Sequence, residues 1–439
     1  MKVLGIETSC DETGVCLIET QEAENGTILT VLGNQLYSQV AKHQEFGGVM
    51  PMLDKRELDK NLVPILEKCL EEAEHNRPVH QNGHPALTKA GKAEPPLSPP
   101  QTRRGARVCE GGVVEKILER EPELLTELKK LLETIARPEI DAIAVTNGPG
   151  LEPALWVGVT FAKALSAAWD IPLIPTNHME GHIVVSSLSP SLDKEGLGAV
   201  EYLIKQIPYP ALALLISGGH TQLVLIKDNL QYEIIGNTCD DAVGEAFDKV
   251  ARMLGLPYPG GKVISDLAKK ERAEFPDKKA PYPLPRPMLH SKDFNFSFSG
   301  LKTAVLYTLK KISLNSLSKN ESGEHFSEKN VLADVTEQIK QELSLEFENA
   351  VLEVLGYKTS QAIEKFGPQA LIIGGGVSAN PQIRFVLDQV CQKYNIIFLV
   401  PEVSASTDNA LMIALAGYMN ILAGKKSDTS FKANGNLSL

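Results

Sequence analysis

The sequence predicts an α/β fold made of two similar lobes. Three observations carry this reading. A hairpin-forming segment occurs twice, apolar strands alternate with helical segments, and glycine-rich turns follow the strand ends. The first copy of the hairpin is Leu4-Gly5-Ile6-Glu7-Thr8-Ser9-Cys10-Asp11-Glu12-Thr13-Gly14-Val15-Cys16-Leu17-Ile18. The second is Leu212-Ala213-Leu214-Leu215-Ile216-Ser217-Gly218-Gly219-His220-Thr221-Gln222-Leu223-Val224-Leu225-Ile226. The copies align without a gap, Ser9 on Ser217 and Thr13 on Thr221. Each reads as apolar strand, tight polar loop, apolar strand. A repeat offset of about two hundred residues is far longer than a solenoid period, so it marks two domains rather than an array.

The elements follow in order. After the first hairpin a third strand is expected near 31–38, then a helix whose apolar positions are Leu62, Ile65, Leu66, Cys69 and Leu70. Residues 75–111 interrupt the pattern with six prolines, His75, His80 and His84, and a local excess of Lys and Arg. They read as a flexible insertion. A strand at 140–146 ends in Asn147-Gly148-Pro149-Gly150. A helix over 154–169 and a strand at 172–175 then lead into Asn177-His178-Met179-Glu180-Gly181-His182. Beyond the second hairpin, 240–249 opens a helix ending near Gly255, and Pro257-Tyr258-Pro259-Gly260-Gly261 makes a rigid turn. A polar insertion is expected at 313–330. A short buried strand at 370–373 runs into Gly374-Gly375-Gly376-Val377-Ser378-Ala379-Asn380. The last helix begins at Thr407-Asp408-Asn409. The expected division is a first domain over 1–205, a second over 206–406, and a C-terminal helix and tail over 407–439 that packs back on the first domain.

Bulk properties narrow the function classes. The chain has 439 residues, 43% hydrophobic and 23% charged, which suits two or three globular domains. A net charge of −11 excludes a general nucleic-acid binder, because phosphate contacts need clustered Lys and Arg. An RNA partner therefore requires a local basic patch or a helper protein. No signal peptide and no membrane-length apolar run is visible. Six scattered cysteines without a C-x-x-C pair read as reduced thiols and predict a cytoplasmic protein.

The chemistry centres on His178 and His182. Residues four apart share one face of a helix, so both imidazoles can address one metal ion. The zinc-protease motif H-E-x-x-H places a general base directly after the first His. Here that position is Met179, and Glu180 lies about 100° further round the helix. The pair thus points to metal and away from proteolysis, and Glu180 needs no role beyond that of a polar helix residue. Asp408 either completes the ligand set or caps the last helix. The loop with Asp11 and Glu12 offers carboxylates for a cation or a proton. Its twin, Ser217-Gly218-Gly219-His220-Thr221, exposes backbone amides to a ligand. Two such loops facing each other would clamp a nucleotide's phosphates, the geometry of the actin, sugar-kinase and Hsp70 superfamily. The triple glycine is no Walker loop, since no Gly-Lys-Ser/Thr follows. Asn380 offers either an amide for a ribose or base, or a helix cap.

Taken together, these residues resemble the tRNA threonylcarbamoyladenosine transferase family (TsaD), once described as a glycoprotease. The resemblance rests on 5–13, 178–182, 217–223, 240–249, 258–261, Phe298-Ser299-Gly300-Leu301-Lys302-Thr303-Ala304-Val305, Gly375-Gly376-Val377 with Asn380, and 407–410. It implies two actin-like (ribonuclease H-like) domains with the active site in the cleft between them. It also implies one divalent metal ion, iron or zinc, held by His178, His182 and Asp408. Threonylcarbamoyl-AMP would be held by Ser217, Gly218, Gly219, His220, Asp248, Gly261 and Asn380, with Asp11 and Glu12 catalytic. The acceptor implied is the exocyclic amine of the adenosine 3′ of the anticodon in tRNAs reading codons that begin with A. The implied partners are tRNA, a paralogous actin-like subunit (TsaB-type) and an ATPase subunit (TsaE-type). A metal-dependent protease and a non-catalytic actin-like ATPase subunit are the alternatives. The chain departs from the family at Glu152-Pro153, at Ser406 where Cys is usual, at 52–58 and in the 75–111 insertion.

Overall fold

The computed structural model describes residues 1–24, 26–39, 51–76, 112–190, 199–276, 281–317 and 335–439. Of the expected insertion at 75–111, all but His75 and Asn76 lies outside the described residues; of 313–330, all but 313–317 does.

Strands β1 (Lys2–Glu7), β2 (Glu12–Ala23), β3 (Gly26–Ser38), β4 (Ala142–Gly148), β5 (Leu173–Asn177), β6 (Leu188–Pro190) and β7 (Val200–Ile204) form one sheet, in the order β5-β4-β1-β2-β3-β7-β6. Strands β8 (Ala211–Ile216), β9 (Thr221–Asp228), β10 (Gln231–Asn237), β11 (Ala370–Gly374) and β12 (Ile397–Leu399) form the second, in the order β10-β9-β8-β11-β12. The five strands β1–β5 and the five strands β8–β12 have one topology. The first three are antiparallel neighbours, and the fourth and fifth continue parallel on the other side of the first. Even the hairpin registers correspond: Ile6 pairs Val15 and Glu7 pairs Gly14, while Leu214 pairs Leu223 and Leu215 pairs Gln222. The duplicated segment is thus part of a duplicated half-molecule, and the fold is the expected α/β pair of similar halves.

Period-two alternation divides each sheet between two cores. In the first, Leu4, Ile6, Val15 and Leu17 face helices Pro51–His75, Pro122–Thr134 and Glu152–Trp169. Val3, Cys16 and Ile18 face the opposite way, against helix Ala410–Leu422. That helix lies close: a Cβ placed on Gly5 would sit 2.3 Å from the carbonyl oxygen of Ala410. In the second sheet Leu212, Leu214 and Ile216 face helices Val243–Met253 and Glu337–Phe366. Ala211, Ala213 and Leu215 face inward and pack on Met179 and Ile183 of the short helix His178–Val184. The other side of this helix, at Gly181, meets Met412 and Ile413. The histidine-bearing helix is therefore clasped between the second sheet and the helix that covers the first. None of the described helices is long and apolar enough to cross a membrane.

Candidate metal centre

The short helix starts where β5 ends. Asn177 caps it, its side-chain oxygen accepting from the backbone N–H of Met179 at 2.8 Å and of Glu180 at 3.4 Å. Met179 and Ile183 are drawn into the second lobe's core, which leaves His178 and His182 one turn apart on another face. Their ring centroids are 4.7 Å apart.

Asp408 meets both imidazoles. Its Oδ1 is 3.1 Å from Nε2 of His182 and 3.4 Å from Nε2 of His178. It is free to do so because the neighbouring Asn409 takes the capping role, accepting from Met412 N–H at 3.0 Å. The cap thus falls to Asn409, one residue on, and Asp408 is left beside the histidines. One ligand atom from each of the three residues lies within 4.8 Å of the others. Two ligand atoms about 2.1 Å from one ion at a tetrahedral angle are about 3.4 Å apart. The donor set and its spacing therefore fit a divalent cation. The imidazoles are closed off, with 7% and 0% of their side-chain surface exposed, whereas Asp408 keeps 22%. The centre opens on the carboxylate's side.

Glu7 and Ser9 set the orientation of His178. The fully buried Glu7 places Oε2 3.1 Å from Nδ1, and the Ser9 hydroxyl is also 3.1 Å away. Glu7 is itself held by the Thr146 hydroxyl at 2.6 Å and the Ser9 N–H at 2.5 Å. An ionised carboxylate only accepts, so Nδ1 donates its proton to Glu7, which leaves Nε2, on the Asp408 side, as the ring atom that would bind a metal. Among the described residues, the buried Nδ1 of His182 has no hydrogen-bond partner. Sequence reasoning missed Glu7. The available signal was an acid closing an otherwise apolar strand.

Electrostatics follow the same arrangement. Burial would lower the pKa of His178, yet the Asp408 and Glu7 carboxylates raise it well above the ordinary value. Burial lowers that of His182 against its hydrogen bond to Asp408. Burial would raise Asp408, but the two imidazoles hold it below the usual carboxylate range. Glu12, whose buried Oε2 has no hydrogen-bond partner among the described residues, is pushed up to about 8 by burial and by the charges of Asp408, Asp11 and Glu7. Burial, His178 and His182 bring His220 down to about 4. The second lobe's hairpin loop thus lies within electrostatic reach of the first lobe's histidines.

The remaining expected site residues are distributed around this point. Asp11 sits in the β1–β2 loop, its carbonyl accepting from Gln39 at 2.9 Å. The Ser217–His220 loop is closed by Ser217 N–H to the His220 carbonyl at 2.8 Å and His220 N–H to Ser217 Oγ at 3.1 Å. Gly218 and Gly219 are exposed, and a Cβ on either would meet no atom within 4 Å. Asp248 accepts from Gly260 N–H at 2.7 Å and from Gly261 N–H; burial raises its pKa, and the charge of Asp11 acts in the same direction. Asn380 caps helix Pro381–Tyr394 through its oxygen, and its amide nitrogen donates to Glu348 at 2.9 Å and Ser265 at 3.3 Å.

Glu180 differs from its expected role as a polar helix residue. It is buried, accepting from Tyr232 on β10 at 3.1 Å and from Asn420 at 3.1 Å, with Lys425 at 3.8 Å. The helix is too tightly enclosed to present a solvated face.

Comparison with known proteins adds the following. The family described as tRNA N6-adenosine threonylcarbamoyltransferase matches residues 109–415. A protein of that name from Paraburkholderia xenovorans is 39% identical over 421 residues, covering 96% of this chain and 92% of the relative. Another from Chromobacterium violaceum is 37% identical, covering 96% and 93%. Among solved structures, the chain is similar to a ROK hexokinase from Thermus thermophilus, with 11% identity, a TM-score of 0.38, and 97% and 100% of the two chains covered.

Proposed function

The chain belongs to the tRNA N6-adenosine threonylcarbamoyltransferase family, and from this we propose how its centre works. The activity is transfer of a threonylcarbamoyl group to the exocyclic amine of adenosine in tRNA. The donor in our reading is threonylcarbamoyl-AMP, and the acceptor is the adenosine 3′ of the anticodon in tRNAs for codons beginning with A. The observation that carries the reading is the cluster of His178, His182 and Asp408, open on one side and within electrostatic reach of His220 in the second lobe's Ser217–His220 loop.

The donor is already activated, because AMP is a good leaving group, while the acceptor amine is weakly nucleophilic. The site must position both, polarise the carbonyl and remove a proton. His178, His182 and Asp408 would hold one divalent ion, which when bound supplies a Lewis acid and template for the carbamoyl oxygen. Imidazole with carboxylate suits iron(II), our assignment, and also zinc. Ser217, Gly218, Gly219 and His220 form the loop that holds the phosphate, Gly218 and Gly219 through their backbone N–H groups and Ser217 and His220 by closing the loop around them. Asp248 fixes the Gly260-Gly261 turn against the nucleotide, and Asn380 holds the start of its helix there. Glu12 or Asp11 takes the amine proton; a carboxylate titrating near 8 suits that task. His220, neutral at physiological pH, adds no positive charge beside the ion.

A protease reading finds no base on the histidine-bearing helix, where the H-E-x-x-H motif needs one: Met179 is packed into the core, and both Glu180 oxygens are engaged. For the assembly we propose a paralogous actin-like subunit and an ATPase subunit alongside the tRNA, and a cytoplasmic location. The domain division proposed is 1–205, 206–406 and 407–439. Packing of Ala410–Leu422 on the first sheet supports the last segment's return to the first domain. The test mixes pure protein with metal, tRNA, threonine, bicarbonate, ATP and an adenylate-forming synthase, with and without candidate subunits. Mass spectrometry of digested tRNA should show the modified adenosine. Its absence under every combination would sink the proposal.

A further inference from the structure

We infer that Arg384 is a positioning residue for the metal centre, fastening the loop that delivers Asp408 to the glycine turn of the second lobe. Arg384 stands one turn into helix Pro381–Tyr394. Its Nε donates to the Ser378 carbonyl at 2.6 Å, and its Nη2 donates to Oγ of Ser406 at 2.9 Å. Ser406 is fully buried and in turn donates to the Glu402 carbonyl at 2.9 Å. Among the described residues no carboxylate pairs with this guanidinium, which is a partly buried cation resting on neutral acceptors. Burial of a charge is unfavourable without compensation, and two directed bonds from one rigid fork provide geometry more than charge neutralisation.

What the fork joins gives it a role. At one end, Ser378 closes the turn after β11, donating its N–H to Gly375 at 2.9 Å. Gly375, at φ 87°, packs so closely on the base of the Ser217 loop that a Cβ there would sit 2.5 Å from the Ile216 carbonyl oxygen and 3.2 Å from Ser217 Cβ. At the other end, Ser406 lies two residues before Asp408, between the turn Val403–Ala405 and helix Ala410–Leu422. This stretch is where the chain crosses from the second lobe back to the first. His178 and His182 are placed by their own helix, but Asp408 comes from the crossing. Its first-lobe side is fixed by Asn409, which donates to the Ala405 carbonyl at 3.2 Å and caps the final helix. Arg384 fixes its second-lobe side. The position of Asp408 is thereby tied to the turn that supports the Ser217–His220 loop.

This inference rests on the metal reading of His178, His182 and Asp408, and its test separates the two. The full chain is stripped of metal and titrated with Zn²⁺ against a chromophoric chelator. Arg384→Met, Ser406→Ala, the double variant and His178→Ala are compared with the parent, and circular dichroism checks the fold. Outer partners of metal ligands typically govern affinity by 10–100-fold. Each single variant should bind Zn²⁺ about tenfold more weakly, and the double variant no more weakly than Arg384→Met, since both remove one linkage. Parent-like affinity in folded Arg384→Met, or losses that multiply in the double variant, would overturn the inference while leaving the metal site standing. Undiminished binding by His178→Ala would overturn the metal reading itself. If Arg384→Met does not fold, Ser406→Ala alone decides: parent-like affinity there overturns the inference.

Discussion

Oε2 of Glu7 lies 3.1 Å from Nδ1 of His178, a carboxylate at the end of the first strand aimed at an imidazole on a helix some 170 residues later in the chain. The contact fixes which ring nitrogen keeps the proton and so which one is free for a metal. Removing the negative charge while keeping the shape should loosen that choice. Glu7→Gln is expected to bind Zn²⁺ or Fe²⁺ about 10–100-fold more weakly with its secondary structure intact. Competition titration measures this, and unchanged affinity would remove Glu7 from the centre.

Glu12 provides a pH prediction. Burial and the charges of Asp408, Asp11 and Glu7 push its pKa up to about 8. A base must be ionised, so kcat should rise as pH climbs through this value and level off above it. Added positive charge from bound metal moves the limb to lower pH. Glu12→Gln should lose the limb and lower kcat by roughly 10²–10⁴-fold, the usual weight of general base catalysis. Asp11→Asn should keep the limb. A limb that survives in Glu12→Gln assigns the proton to another group.

Asp59 tests the helix Pro51–His75 away from the centre. Burial and the neighbouring Glu121 raise its pKa to about 7, against the opposing charge of Lys55, which pairs with Glu121 at 2.9 Å. The folded value exceeds the unfolded one, so the group's contribution to stability is full below about pH 4 and is lost as pH rises through about 7. Asp59→Asn stays neutral throughout. It should melt higher than the parent at pH 8, and the gap should narrow steadily towards pH 5. Thermal melts across that range check it; a gap independent of pH would contradict the assignment.

The sequence made the halves and the histidine pair legible for physical reasons. Strand–loop–strand hairpins are local, and Ser9–Thr13 against Ser217–Thr221 display the duplication without any tertiary information. The i, i+4 spacing of His178 and His182 is likewise local. Asp408 and Asn380 were each ambiguous because ligand and cap use the same side chains; only the packed backbone shows Asn409 and Asn380 capping and Asp408 facing the histidines. Glu180 and Arg384 were opaque for a different reason. Their partners, Tyr232 and Asn420 for one and Ser406 for the other, are remote in sequence, and no periodicity announces them.

Gly219 and Gly375 separate a glycine needed by a ligand from one needed by the fold. Gly375 has φ 87° and no room for a Cβ, so Gly375→Ala should lower stability by roughly 1–3 kcal/mol. Gly219 has no positive φ and open space where a Cβ would go, so Gly219→Ala should change stability by less than about 0.5 kcal/mol. If the loop's backbone amides meet the adenylate's phosphate, that same methyl group occupies the approach. Loss of about one hydrogen bond to a charged oxygen then raises KM for the adenylate roughly tenfold, with kcat less affected. Melting curves and steady-state kinetics on the two variants give the contrast. A Gly219→Ala protein with parent-like KM would show that the phosphate is held elsewhere, and the Ser217–His220 assignment would have to be abandoned.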